Sequence, residues 1–149
     1  MDLTEPYVRA TDRISPTEAA LIKEKLLREF KLPFTRIADS LYRVKGTKVN
    51  AKLTTLRPSG RYWFNIQRRA DSYLWICWNK KMQKHDAYYW VPAQAMRKMV
   101  RRGAYRDWTW EQRGRPIPNF MIDAKTDMYV VGTTRISIGK FRGLRVPPQ

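Results

Sequence analysis

The sequence predicts an α/β fold, a mixed central sheet with a helix on either side and a basic extension at its C-terminal end. Three observations carry that expectation. Residues 16–30 place Leu21, Ile22, Leu26, Leu27 and Phe30 at helical spacing. Residues 41–92 hold several short runs rich in β-branched and aromatic residues, punctuated by turn residues. From Pro92 to Gly103 the spacing is helical again, with the proline at the helix start. At 149 residues and 43% hydrophobic content, the chain is sized for one domain, residues 1–149, with a core that needs no disulfides.

The elements follow in order. Residues 1–14 mix charges and read as an arm. Ser15-Pro16-Thr17-Glu18 is a capping box, with Ser15 as N-cap and Glu18 reaching back to its amide. Residues 41–53 read as two strands around a turn at Lys45-Gly46-Thr47. A basic turn over 56–61 leads to a strand over 62–66, a second basic turn over 67–69, an apolar strand ending at Trp78, and a strand over 88–92. The second helix turns Met96, Met99 and Val100 inward and Arg97, Lys98, Arg101 and Arg102 outward. Beyond Gly103 come Trp108 and Trp110, a basic loop over 113–118, a strand from Met128 to Val131 and a basic tail.

Charge narrows the partner class. Thirty Lys and Arg against 13 Asp and Glu give a formal net charge of +17, spread along the chain. A folded domain this basic meets a polyanion, and nucleic acid is the leading candidate. No apolar stretch is long enough to span a bilayer, and the N-terminal residues lack the pattern of a secretory signal. The lone Cys77 excludes an internal disulfide and points to a reducing, cytoplasmic location. Cys77 lies in an apolar strand and reads as a core thiol. The single His85, in a polar turn between strands, has no second histidine or cysteine pair to make a zinc site. No nucleotide-binding glycine motif is present.

Asp39, Asn50 and Lys52 are the candidate site. A hairpin centred near Gly46 sets Asp39 across from the stretch that begins at Lys52. Asn50 and Lys52, two apart, share a face of the sheet. A carboxylate and a second oxygen suit a hard divalent ion such as magnesium, and a lysine can orient water or stabilise charge on phosphorus. The bland alternative is a turn aspartate beside solvated strand residues.

In its order of parts the chain resembles the PD-(D/E)XK nuclease superfamily. The matching parts are a leading helix over 16–30, Asp39 at the aspartate position, a hairpin, Asn50 and Lys52 at the Glu/Gln-x-Lys positions, later strands over 60–66, 70–78 and 88–92, and a proline-initiated helix. The resemblance covers residues 16–102, is strongest to the Holliday-junction-resolvase-like branch, and leaves 103–149 as an extension for DNA recognition or oligomerisation. It implies a restriction-endonuclease-like core and a magnesium-dependent DNA endonuclease, with manganese as a substitute metal, of the site-specific homing type. Junction resolvases and restriction enzymes are near alternatives. It also implies that Glu18 or Glu24, on the leading helix, faces the metal beside Asp39 and Asn50. The departure is Asn50, whose amide oxygen ligates a hard cation more weakly than a carboxylate. A non-catalytic nucleic-acid-binding protein on the same fold is therefore the rival expectation.

Double-stranded DNA is the expected partner, contacted by Arg57, Arg61, Arg68, Arg69, Arg113, Arg115, Arg135, Lys140 and Arg142. Trp108 and Trp110 read first as core or subunit-contact residues and second as base-stacking ones. One site per chain cuts one strand, so a double-strand break calls for a homodimer or homotetramer.

Overall fold

The computed structural model describes residues 13–66, 69–103, 105–112 and 115–148, with side chains from 103 to 118 outside that description. Arg68 and Arg113, and the side chains of Trp108, Trp110 and Arg115, therefore lie outside the described residues, as does most of the N-terminal arm. The molecule is α/β, as the patterning predicts. Helix α1 spans Pro16–Glu29, and β1 (Phe34–Ala38), β2 (Leu41–Val44) and β3 (Thr47–Thr55) form a meander. Strand β4 (Tyr62–Asn65) precedes β5 (Ser72–Asn79) and β6 (Lys84–Pro92), and α2 (Ala93–Gly103) follows directly. Strands β7 (Tyr105–Gln112), β8 (Arg115–Asp123), β9 (Met128–Val131) and β10 (Thr134–Ser137) complete the chain, with a short 3-10 turn at Gly139–Phe141.

Two five-stranded sheets result. The first has the order β1-β2-β3-β5-β6 and is mixed, because β3 and β5 run parallel while its other pairs are antiparallel. The second has the order β10-β9-β8-β4, with β7 also paired to β8. Strand β4 was expected beside the other core strands, yet it pairs with β8. The reason is topological. Parallel neighbours need a crossover, residues 56–71 supply it, and β4 lies within that crossover over one face of the first sheet. The segment beyond Gly103 accordingly forms four strands that share the second sheet with β4.

The strand pattern builds two cores on the two faces of the first sheet. Val49 and Ala51 of β3, with Leu74 and Ile76 of β5, meet Leu26, Leu27 and Phe30 of α1. Tyr73, Trp75 and Cys77 of β5 point the other way, against Phe64, Phe120, Ile122 and Tyr129 of the second sheet and Met96 and Met99 of α2. Strand β5 is buried on both faces, which is why it reads as a near-continuous apolar run. In α1 the inward stripe is Lys23, Leu26, Leu27 and Phe30, whereas Leu21 is 62% exposed. Among the described residues no helix is long and apolar enough to cross a membrane.

Local chemistry sets the ends. Ser15 Oγ accepts from the Glu18 amide and Pro16 sits in the first turn of α1, as the capping box predicts. Lys45 and Gly46 both have positive φ, at 50° and 80°, which is the backbone a two-residue hairpin turn requires. Asp71 fastens three elements: its carboxylate accepts from the Lys48 amide at 3.1 Å, its own amide donates to the Lys48 carbonyl at 2.9 Å, and its carbonyl accepts from Ala93 at the start of α2. The β5–β6 turn falls at 80–83, so His85 belongs to β6, edge-on to Tyr88.

Arg142 holds the C-terminal segment. Its guanidinium donates to Asp127 at 2.6 Å, to the Ala124 carbonyl at 2.9 Å and to the Asp86 carbonyl at 3.3 Å. Tyr89 donates to the same carboxylate at 2.6 Å. Burial pushes the Asp127 carboxyl up, but the Tyr89 hydroxyl and Arg142 together outweigh it and hold it below the usual range. Such a carboxylate stabilises the fold above its unfolded pKa of about 3.9 and stops doing so as pH falls through its lower folded value. Arg142→Ala is expected to cost about 1 kcal/mol at pH 7, discounted for exposure. In urea titrations followed by circular dichroism, the gap from wild type should narrow below about pH 4.

Candidate functional site

The hairpin register brings the candidate residues together at one edge. Leu41 pairs with Asn50, and the Ala51 amide donates to the Ser40 carbonyl at 2.9 Å. Asp39 precedes Ser40 in that turn, and Lys52 follows Ala51 on β3. Asp39 is exposed and lies in the turn between β1 and β2, just past the end of β1 and not within a strand. The turn is tight, with Ser40 at φ 61°. Strand β2 pairs with β3 only over Leu41–Val44 and Thr47–Asn50, so β3 runs past it from Ala51 to Thr55. Lys52 stands on that overhanging part.

Asn50 and Lys52 share a face of β3 but not an environment. Asn50 is 1% exposed, whereas Lys52 is half-buried. Of the two oxygen-bearing candidates, Asp39 is the exposed one and Asn50 is buried within the sheet.

The residue that sequence reasoning missed is Lys23. It is buried on the inward stripe of α1, at 6% exposure, and its ammonium donates to Ser40 Oγ at 3.1 Å. Burial, then the positive charge of Lys52, lowers its pKa to about 8, while Asp39 and Glu24 pull the other way. Lys23, Lys52 and Asp39 therefore form one electrostatic unit. The signal was present: Lys23 precedes Leu26, Leu27 and Phe30 by three, four and seven residues, the spacing of a shared helix face.

The helix acids divide. Glu18 is five residues before Lys23, roughly 140° around the helix, and its amide serves the N-cap. Glu24 is the acid turned toward the β1–β2 edge. It is held by the Arg36 guanidinium and by the Tyr42 hydroxyl at 3.0 Å. Burial raises its pKa, but those donors outweigh it and leave the carboxyl below the usual range. Burial and the same contact push Tyr42 up to about 12.

Among the described residues no cluster of three or more His, Cys, Asp or Glu side chains could hold a metal. One accessible carboxylate beside two ammonium groups does not make a resident cation site. It does fit magnesium shared with a phosphate, since that ion is commonly bound through one or two carboxylates plus substrate phosphates.

The expected DNA-contacting residues are dispersed. The Arg57 guanidinium stacks on Trp63, 4.1 Å from the ring centroid, in the turn between β3 and β4. Arg61 ends that turn, its carbonyl accepting from the Arg57 amide at 3.0 Å. Arg69 is exposed before β5. Arg135 donates to the Gly132 and Thr134 carbonyls of its own hairpin, and Lys140 lies over Phe141. Arg142 serves the internal clamp described above. Arg97, Lys98, Arg101 and Arg102 are exposed on α2, as their helical spacing predicts. Cys77 is fully buried, and burial pushes its thiol pKa up, away from nucleophilic use.

A buried lysine is costly, so Lys23→Met should raise stability at pH 7 by on the order of 1–3 kcal/mol. Because the folded pKa lies below the unfolded one, the unfolded chain binds more protons between the two. The wild-type penalty is therefore complete below pH 8 and fades toward pH 10.5. The gain measured by chemical denaturation should shrink over that same interval.

No protein-family model matches the chain, and neither a curated protein nor a solved structure does.

Proposed function

We propose that this protein is an endonuclease that hydrolyses phosphodiester bonds of double-stranded DNA at the edge formed by Asp39, Lys52 and Lys23. The observation that carries the reading is the bond from the Ala51 amide to the Ser40 carbonyl beyond the β2–β3 register, which brings the turn that bears the exposed Asp39 alongside the part of β3 that bears Lys52. A formal charge of +17 supplies the attraction for the duplex. The order of elements, helix then three-stranded meander then a parallel strand, is in keeping with the PD-(D/E)XK resemblance.

Each side chain has a distinct part. Lys52, half-buried on the part of β3 that runs past β2, stabilises negative charge that develops on the phosphoryl oxygens. Lys23, anchored by Ser40, adds a second positive charge from the helix side and fixes the Asp39 turn. Asp39 would hold magnesium or manganese together with a DNA phosphate, and that ion supplies Lewis acidity at the bond to be broken. Asn50, buried, maintains the strand beneath them. Cutting both strands requires two copies related by a two-fold axis, hence a homodimer or homotetramer. The buried lone thiol accords with a reducing, cytoplasmic location.

A non-catalytic DNA-binding protein is the second reading. It is favoured by the two lysines that outnumber the accessible carboxylate. Supercoiled plasmid incubated with magnesium, manganese or chelator separates the two. The nuclease reading expects nicked or linear product with metal alone, reduced at least about 100-fold in Asp39→Ala and in Lys52→Ala with duplex binding retained. Cleavage that survives Lys52→Ala, or intact plasmid retarded in gels under every metal condition, would sink it. By calorimetry, manganese should bind the protein–DNA complex far more tightly than the protein alone.

A further inference from the structure

A cleft of about 310 Å³ opens outside the carboxyl ends of β3 and β5 and is not used by the Asp39 and Lys52 site. These two strands are the parallel pair of the first sheet, and in open α/β sheets ligands bind in the crevice beyond such ends. Its lining is of two kinds. Trp78 and Leu56, the latter 46% exposed, give it an apolar wall, while Arg57, Lys80 and Lys81 give it cations. Asp86 also lines it, already accepting from the Tyr62 hydroxyl and from Asn79 Nδ2.

The cations are positioned before any ligand arrives. Arg57 is stacked on Trp63, and its turn is closed by the Gly60 amide donating to the Arg57 carbonyl at 2.8 Å, with Gly60 at φ 86°. The turn that carries Lys80 and Lys81 is pinned by the Met82 amide donating to Asn79 Oδ1 at 3.0 Å. Lys80 also donates to the Arg13 carbonyl at 2.7 Å, and Lys81 is exposed. Cations beside a recessed aromatic wall suit an anion that carries a flat ring. A phosphate of intact duplex would use the cations alone, because its base stays inside the stack.

We propose that this cleft receives one unpaired nucleotide of the DNA, its phosphate held by Arg57, Lys80 and Lys81 and its base laid against Trp78. The inference rests on the reading of this chain as a DNA-acting protein and names the substrate class: duplex with a splayed or single-stranded segment beside the cut. Stacking on an aromatic side chain is tolerant of base identity, so the cleft selects structure over sequence.

Fluorescence anisotropy with the full chain, in chelator so that nothing is cut, tests this. The probes are a blunt duplex, the same duplex with a short thymidine tail, and the same duplex with an abasic tail of equal length. The thymidine-tailed duplex should bind about tenfold more tightly than the blunt one. The abasic tail should lose most of that gain. Lys81→Glu and Arg57→Glu, verified as folded by circular dichroism, should weaken tailed-duplex binding more than blunt-duplex binding, so that the ratio between the two falls. Equal affinity for blunt and tailed duplexes, an abasic tail as good as the thymidine tail, or a preference unchanged in Lys81→Glu would each overturn the cleft assignment. None of these outcomes bears on metal-dependent cleavage at Asp39, which is read separately on plasmid.

Discussion

The parallel pairing of β3 with β5 is the constraint on which the rest of the structure depends. It runs over seven residue pairs, from Val49 with Ser72 to Thr55 with Trp78. It fixes which side chains of both strands face α1 and which face the second sheet. A slip of one residue would exchange those faces and put Lys52 under the helix. The pairing also dictates the crossover over 56–71, and the crossover delivers β4 to the second sheet. Asp71 closes that crossover by bonding both to β3 and to the start of α2. The second core and the cleft at the strand ends are therefore both consequences of one register.

A net charge of +17 opposes the compact state through self-repulsion. Most of the excess positive charge is on the surface, where water and salt screen it. Lys23 is different. It is taken out of water on the helix stripe and placed beside a second lysine, with Asp39 and Ser40 as partial compensation. A methionine of similar length would fill the same space without that penalty.

Much of the fold was legible because its signals are local. The Ser15 cap, the Lys45-Gly46 turn, the period-two apolar strands and the basic outer face of α2 follow from residue chemistry within a few positions. The partner of β4 was not legible, since Tyr62 and Phe64 alternate as well in one sheet as in another, and only the long-range pairing with Phe120 and Ile122 decides it. The same holds for the site. Proximity of Asp39 to Lys52 follows from the length of the hairpin, which is local. The arrival of Lys23 depends on how α1 lies across the sheet, and that angle is set by Leu27, Phe30 and their contacts with Val49, Leu74 and Trp90. Glu24 took the inward position over Glu18 for the same reason: the helix phase is fixed by its apolar stripe, and Glu18 falls on the capping turn outside it.

Arg142 has a structural role that its sequence surroundings do not announce. Its sequence surroundings resemble those of a phosphate-contacting tail, with Lys140 and Arg145 nearby. Yet it reaches Asp127, and Arg145 reaches the Glu29 carbonyl and the Phe30 ring. These contacts lash the C-terminal segment across β6, where Tyr89 pairs with Arg142, and onto the end of α1. Two of the tail's cations thus act as tethers between the two cores. Cations that keep their charge turned outward, on α2 and in the turns flanking β4 and β5, are the better candidates to meet a polyanion. The turn that bears Arg57 and the cleft lie beyond the carboxyl ends of β3 and β5, whereas the turn that bears Arg69 and the start of α2 lie at the opposite end, where Asp71 bonds Lys48 and Ala93.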